Sequence, residues 1–471
     1  MSKRPKHSST DADNKIVIKQ EEEKEDFFNK LPDDLLTKII SCIPDARDAK
    51  RTCILSKRWN LLPILYFVMP PFIRYNKRAK LFYPNSYRST SSSNIKVKKF
   101  HDSVDKALAL HQGMPIQKFV LCFMDEHCDY SRLNSWLRTL VCCLVQQLEL
   151  NLVTSSMHGV SARINILKNC NTLIELTLRG KFVLDMPESS GVLFPSLKKL
   201  NLHFIVYSSE PLMKLISQCP VLEELFVENQ IESYYERLKT FKVSSTSLKR
   251  LRMSFINIFL RNPNVVINAP NLEYIYFSDQ NKTKYHIMNP LSLVEAHIDV
   301  SSQIFELFTS LSSIRMLTIT HHTIREAFTT KHILIREIRV MPLLPNLVKI
   351  LIGINGPWEW DFLMVLLNHM PNLEHITFTH GLLCVDKIFG NYNPPVIKTP
   401  PPSCLLSNMK EIIILRLKAV TCEEVAFIRY LLNTAKNLEI FKMNAPKIGR
   451  KRRKEILTFS RGSKCCRVQF V

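Results

Sequence analysis

The chain has 471 residues, 46% hydrophobic and 23% charged; these values argue against overall disorder and leave room for several domains or one long repeat array. Only 10 residues are glycine, roughly a third of average usage, so few positions can form the phosphate-cradling turns of nucleotide-binding enzymes. Of the net charge of +22, residues 74–99 carry +8 and residues 442–467 carry +9, which confines the basic character to two segments and weakens a nucleic-acid reading.

Residues 1–25 are polar, with the mixed charge run Lys19-Gln20-Glu21-Glu22-Glu23-Lys24-Glu25, and are expected to form a disordered tail because they cannot bury enough apolar surface. Within it, Ile18-Lys19-Gln20-Glu21 matches the short pattern of a SUMO-acceptor site, against the plainer reading of a solvated tail. The N-terminus has no apolar leader and no uncharged apolar run approaches the ~18 residues of a membrane span, so a soluble protein of cytoplasm or nucleus, with no membrane partner, is expected. Thirteen cysteines without CxxC spacing are expected to be reduced and structural.

At Leu31 the texture changes. Pro32, Asp33 and Asp34 favour a helix start, and Leu35, Leu36, Ile39, Ile40 and Ile43 form an apolar stripe that ends at Pro44. Asp45 can cap a second helix through Arg51, and Leu55, Trp59 and Leu62 recur at helical spacing on a third that Pro63 stops. The run Leu31-Pro32-Asp33-Asp34-Leu35-Leu36, then Ile43-Pro44, then Leu55-Ser56-Lys57-Arg58-Trp59 closely resembles an F-box. That resemblance implies docking on the Skp adaptor of a cullin ubiquitin ligase through Leu31, Pro32, Leu35, Ile39, Pro44, Leu55, Ser56 and Trp59. One departure is Pro63, where plant members commonly carry Trp. The F-box is assigned to residues 26–72, a Ser- and Lys-rich basic linker to 73–99, and an amphipathic helix begins with Phe100, Val104 and Leu108.

From residue 116 a spacing of apolar, two variable, apolar, one variable, apolar recurs thirteen times. It begins at Ile116, Val145, Leu173, Leu197, Leu222, Leu248, Leu272, Leu293, Ile314, Leu347, Leu373, Met409 and Leu438, at the period of leucine-rich repeats. Alternation in each short strand hides the apolar pair and turns the residues between them to a concave face. On that face the candidate substrate-binding residues are Lys199, Asn201, His203, Phe226, Arg250, Arg252, Tyr274, Tyr276 and His297, with Glu224, Glu228, Glu295 and Asp299 among them. So mixed a surface suits protein recognition better than a phosphate backbone. The usual asparagine three residues beyond the last strand leucine is replaced by Lys181, Ile205, Gln230, Ile256 and Gln280, Asn355 being a lone match, so no asparagine ladder and an irregular horseshoe are expected.

The last 68 residues resemble the FBD module of plant F-box proteins in Cys404-Leu405-Leu406, Met409-Lys410-Glu411, Glu424 to Ala435 and Ser460 to Phe470. The expected architecture is an α/β solenoid: a small helical F-box, then an irregular leucine-rich-repeat horseshoe over 100–403, capped by the FBD module at 404–471. Nucleotide, hydrolase, zincin and paired CxxC motifs are missing, so no catalysis, cofactor or metal is expected; His127 beside Cys122 and Cys128, and His321-His322, read as core or surface residues. Arg450-Lys451-Arg452-Arg453-Lys454 reads equally as a nuclear-localisation run or a solvated helix face. The resemblance implies a non-catalytic substrate receptor reaching a cullin scaffold through Skp, with a target protein still to be identified. The alternative is a nucleic-acid or scaffold-binding repeat protein that uses the basic segments.

Overall fold

The computed structural model describes residues 30–43, 48, 51–52, 58–59, 62, 64–68, 91–111, 113–124, 129–153, 162–163, 166–167, 170–180, 182–183, 192–203, 209–229, 240–255, 264–280, 283–301, 304–329, 341–354, 358–382, 400–417 and 421–471. The tail with Lys19, residues 69–90, His127, Cys128 and residues 391–399 lie outside the described residues. The chain forms two compact units, Met1–Leu62 and Pro63–Val471.

In the first unit Pro32 (φ −60°, ψ 151°) precedes α1 (Asp33–Ser41), with Asp33 and Asp34 in the first turn and Lys38 in the last. Acids thus sit at the positive end of the helix dipole and a base at the negative end. The expected single stripe is split. Leu36 and Ile40 are buried, whereas Leu35 is 46% and Ile39 38% exposed. Arg58 joins the two ends of this unit's sequence: its Nε donates to Asp33 Oδ1 at 2.7 Å and its terminal nitrogen to the Leu31 carbonyl at 2.6 Å.

The second unit opens on β1 (Ile64–Val68) and α2 (Ser91–Leu110), and both correct the sequence boundaries. The F-box assignment to 72 runs past the compact unit, since β1 pairs in parallel with β2 (Lys118–Met124). The linker assignment to 99 overlaps the first half of α2. That helix extends N-terminally because Val97 packs against the same core as Phe100, Val104 and Leu108, outweighing the polar Ser/Lys composition.

The chain continues through α3 (Tyr130–Cys142), β3 (Gln147–Val153), β4 (Ala162–Arg163), β5 (Glu175–Gly180), β6 (Phe182–Val183), β7 (Lys199–His203), α4 (Ser209–Ser217) and β8 (Glu224–Asn229). Next come β9 (Thr240–Ser244), β10 (Arg250–Phe255), β11 (Asn264–Asn268), β12 (Tyr274–Asp279), β13 (Lys284–Met288) and β14 (Glu295–Val300). The rest comprises α5 (Ile304–Thr309), β15 (Met316–Ile319), α6 (His321–Thr329), β16 (Lys349–Ile352), α7 (Trp358–Leu367) and β17 (His375–Phe378). It ends with α8 (Ser403–Ser407), β18 (Glu411–Ile414), α9 (Cys422–Thr434), β19 (Ile440–Met443), α10 (Arg450–Leu457) and β20 (Arg467–Phe470).

Each of the thirteen motif copies forms a strand beginning two residues after its first apolar residue. Together with β1 and β20 they make one fifteen-stranded sheet. Pairing is parallel and in register, so motif residues such as Leu200, Leu225, Leu251 and Ile275 stack in one row of the buried face. Parallel neighbours need crossovers, and helices supply several of them, as expected of an α/β solenoid. In the middle, β9, β11 and β13 form a second, three-stranded parallel sheet. The apolar alternation of Phe241 and Val243, Val265 and Ile267, Tyr285 and Ile287 turns those residues into the core. These extended crossovers lie in repeat steps of 26, 24 and 21 residues.

A side-chain ladder is present, displaced from the usual place. In eight of the thirteen copies the residue immediately before the motif's first apolar position reaches back to a carbonyl of the preceding repeat. Asn271 Nδ2 donates to Thr246 O at 2.7 Å, Asn346 to Ser312 O at 3.1 Å, Asn372 to Pro345 O at 2.9 Å and Asn408 to Pro371 O at 2.8 Å. Shorter side chains reach a nearer carbonyl: Thr172 Oγ1 donates to Val145 O at 3.0 Å and Ser247 Oγ to Leu222 O at 2.9 Å. The expectation of no asparagine ladder is therefore corrected in position, and backbone carbonyls between repeats find donors.

The C-terminal module continues the sheet as β18, β19 and β20 and shares one hydrophobic cluster with the repeats before it. Phe427 of α9 stacks on Trp360 of α7 with ring centroids 4.4 Å apart. A reciprocal capping box between Thr421 and Glu424 starts α9.

Candidate functional site

Two faces carry the residues singled out in the sequence. On α1, Pro32, Leu35 and Ile39 are exposed and Leu31 is half-buried. Leu35 and Ile39, four residues apart, form an apolar strip on one side of the helix. Trp59 is 3% exposed, so it supports the unit from inside and is not placed to touch a partner directly. Pro44, Leu55 and Ser56 lie outside the described residues. Sequence reasoning missed Arg58, whose bonds to Leu31 and Asp33 hold the Leu-Pro segment against the Arg-Trp segment.

The second face is the open side of the large sheet. In-register pairing aligns the sequence candidates in rows: Lys199, Glu224, Arg250, Tyr274 and Glu295 in one, Asn201, Phe226, Arg252, Tyr276 and His297 in the next. All nine candidates therefore come together across five adjacent strands. Lys199 and Arg252 are exposed, and Asn201, His203, Phe226, Arg250, Tyr276 and His297 are half-buried. Tyr274 is buried, contrary to its reading as a contact residue, because the guanidiniums of Arg250 and Arg252 lie 4.3 and 5.4 Å from its ring centroid.

Much of this face is internally paired. Lys199 Nζ meets Glu224 at 3.2 Å, and His203 Nδ1 lies 2.6 Å from Glu228 Oε2. The ring of His203 stands edge-on to Phe226 at 4.7 Å, and Asn201 donates to Thr177 Oγ1 at 3.1 Å. The rings of Tyr276 and His297 stack 4.5 Å apart. Burial holds the His297 imidazole below its ordinary value, with Asp299 opposing and Arg252 reinforcing the shift, so this ring is neutral at neutral pH. Burial likewise raises the Tyr274 phenol and keeps it protonated. Arg179, one repeat upstream, was missed; its terminal nitrogen lies 3.3 Å from His203 Nε2, and its register row with His203 and Glu228 was the available signal.

Among the described residues no group of three or more His, Cys, Asp or Glu side chains could hold a metal ion. His321 and His380 lie 5.5 Å apart, and both are held below their ordinary value, chiefly by burial. Buried Cys122, which accepts from Asn151 at 3.0 Å, has its thiol pushed up to about 12 by burial. No described helix is long and apolar enough to cross a membrane.

The family model for "FBD-associated F-box protein At5g56370, LRR repeats" matches residues 133–377. The F-box/LRR-repeat protein At3g59190 of Arabidopsis thaliana is 29% identical over 76% of this chain and 95% of its own length. The F-box protein At4g27050 of the same plant is 27% identical over 95% of this chain and 99% of its own. With the thirteen-copy strand motif, the α/β solenoid and a family match over more than half its length, the chain belongs to the plant F-box/leucine-rich-repeat/FBD family.

Proposed function

We propose that the chain is a non-catalytic substrate-recognition subunit of a Skp-cullin-F-box ubiquitin ligase. The first unit docks on the Skp adaptor and through it reaches a cullin scaffold; the open face of the solenoid holds a target protein. The chain contributes proximity: a bound target has its lysines near the conjugating enzyme for many encounters, without acid or base groups from this protein. The carrying observation is the apolar strip of Leu35 and Ile39, left in water on a helix whose adjoining side, Leu36 and Ile40, is already satisfied by burial. Family membership supports the same reading. We place this work in the cytoplasm or nucleus.

Size-exclusion chromatography of the full chain with purified Skp adaptor tests the docking. Co-elution of the wild type, lost on replacing Leu31→Ala with Pro32→Ala in a chain that keeps its melting temperature, is the expected result. Equal co-elution of the variant would sink the proposal.

A further inference from the structure

We propose that the open face of β8, β10, β12 and β14 is a docking site for an acidic peptide segment, whose carboxylate is held by Arg250 and Arg252 and whose adjoining apolar side chain lies on Phe226 and Tyr276. This names the chemistry of the target surface and rests on the receptor reading only for its biological use.

Charge complementarity carries the proposal. The nearest acids on β8 already have partners: Glu224 is paired with Lys199 at 3.2 Å and Glu228 with His203 at 2.6 Å. Among the described residues Arg250 and Arg252 form no ion pair and no hydrogen bond; both rest instead on the ring of Tyr274. Two residues apart on one strand, their side chains leave the same face of the sheet. Stacking on a buried ring fixes the guanidiniums before any ligand arrives, so less rotamer freedom is lost on binding. A planar fork with free N–H donors matches a carboxylate, which accepts at both oxygens.

What flanks the arginines selects the rest of the ligand. Phe226 precedes Arg252 in the central row, while the stacked Tyr276 and His297 follow it. His297 is neutral, so that side is an aromatic platform without charge of its own. Glu295 and Asp299 on β14 bound the site with negative charge, which repels a long acidic run and a doubly charged phosphate more than one carboxylate. The matching ligand is a short segment with one acidic residue beside an aromatic or aliphatic one.

A randomised peptide library displayed against the full-length protein decides the matter, without the adaptor. Wild type should enrich peptides bearing Asp or Glu next to an apolar residue. Charge reversal by Arg250→Glu with Arg252→Glu should lower the affinity of a selected peptide by roughly tenfold or more and turn a fresh selection toward basic residues. The milder Arg252→Gln, whose exposed side chain bears little on folding, should weaken the same peptide in the same direction. Selection of no peptide, enrichment without acids, or equal binding by Arg252→Gln would overturn the site. So would a selected peptide that binds clearly more tightly once its acidic residue is replaced by phosphoserine, which would assign the arginines to a phosphate. Adaptor co-elution, measured separately on the same preparations, shows independently whether the receptor reading stands.

Discussion

Gly180 closes β5 at φ +116°, and a Cβ there would collide with the backbone carbonyl of Leu152 on β3. Gly180→Ala therefore combines a strained dihedral with a backbone clash and should cost about 2–3 kcal/mol. A urea midpoint unchanged from wild type would contradict that close approach. His297, His321, His369 and His380 all lie below the ordinary 6.5, burial being the first cause in each. The unfolded chain takes up these protons near pH 6.5 while the folded chain resists them, so the unfolded state binds more protons and stability falls as pH drops below about 7. Melting temperature should decline between pH 7.5 and 5.5, less steeply in His321→Asn with His380→Asn; parallel profiles would refute this account. Single residues were legible in the sequence where periodicity named them, as with Leu36 and Ile40. Arg58 was not, because its partners Leu31 and Asp33 lie 27 and 25 residues away and no local pattern joins them.

Among the elements, the thirteen strands were legible because a period of two with buried Leu or Ile at fixed positions has one physical solution on a half-buried sheet. The outer sheet of β9, β11 and β13 alternates in the same way, yet its partners are set by the stacking of whole repeats, which local composition does not express. The start of α2 was lost to its serines and lysines; packing of Val97 and Phe100 decided it. The usual repeat pattern puts the ladder beyond the strand; here it lies before the strand, where Asn precedes the first apolar residue in five copies. Asn372→Asp keeps the size of the side chain but removes the donor to Pro345 O, and should lower stability by about 1 kcal/mol, as should Asn372→Ala. Equal stability of Asn372→Asp and wild type, measured by denaturant unfolding at neutral pH, would remove the ladder from the account.

For the whole molecule, residues 404–471 continue the solenoid. Their strands extend the large sheet, and Phe427 covers both Trp360 and Phe378. A stack of repeats exposes core at each end unless a terminal unit covers it. A chain ending at residue 403 should accordingly melt several degrees lower and be cut faster by protease than the full chain; equal behaviour would make the module an independent domain. The basic run Arg450 to Lys454 forms most of α10, whose Ile456 is buried in the shared core while Arg452 pairs with Glu455 at 2.8 Å. That arrangement accounts for the run as the solvated side of the cap.

The central claim is that the apolar strip of α1 docks this chain on a Skp adaptor, and isothermal titration of adaptor into three full-length proteins tests it most directly. Wild type and a chain with the lysines and arginines of residues 74–99 neutralised should bind alike, since exposed charges are screened beyond about 8–10 Å at physiological salt. Leu35→Ala with Ile39→Ala, both exposed and so of little consequence for folding, should weaken binding by roughly tenfold or more. Unchanged affinity in that variant, or loss of affinity on neutralising residues 74–99 alone, would contradict the account.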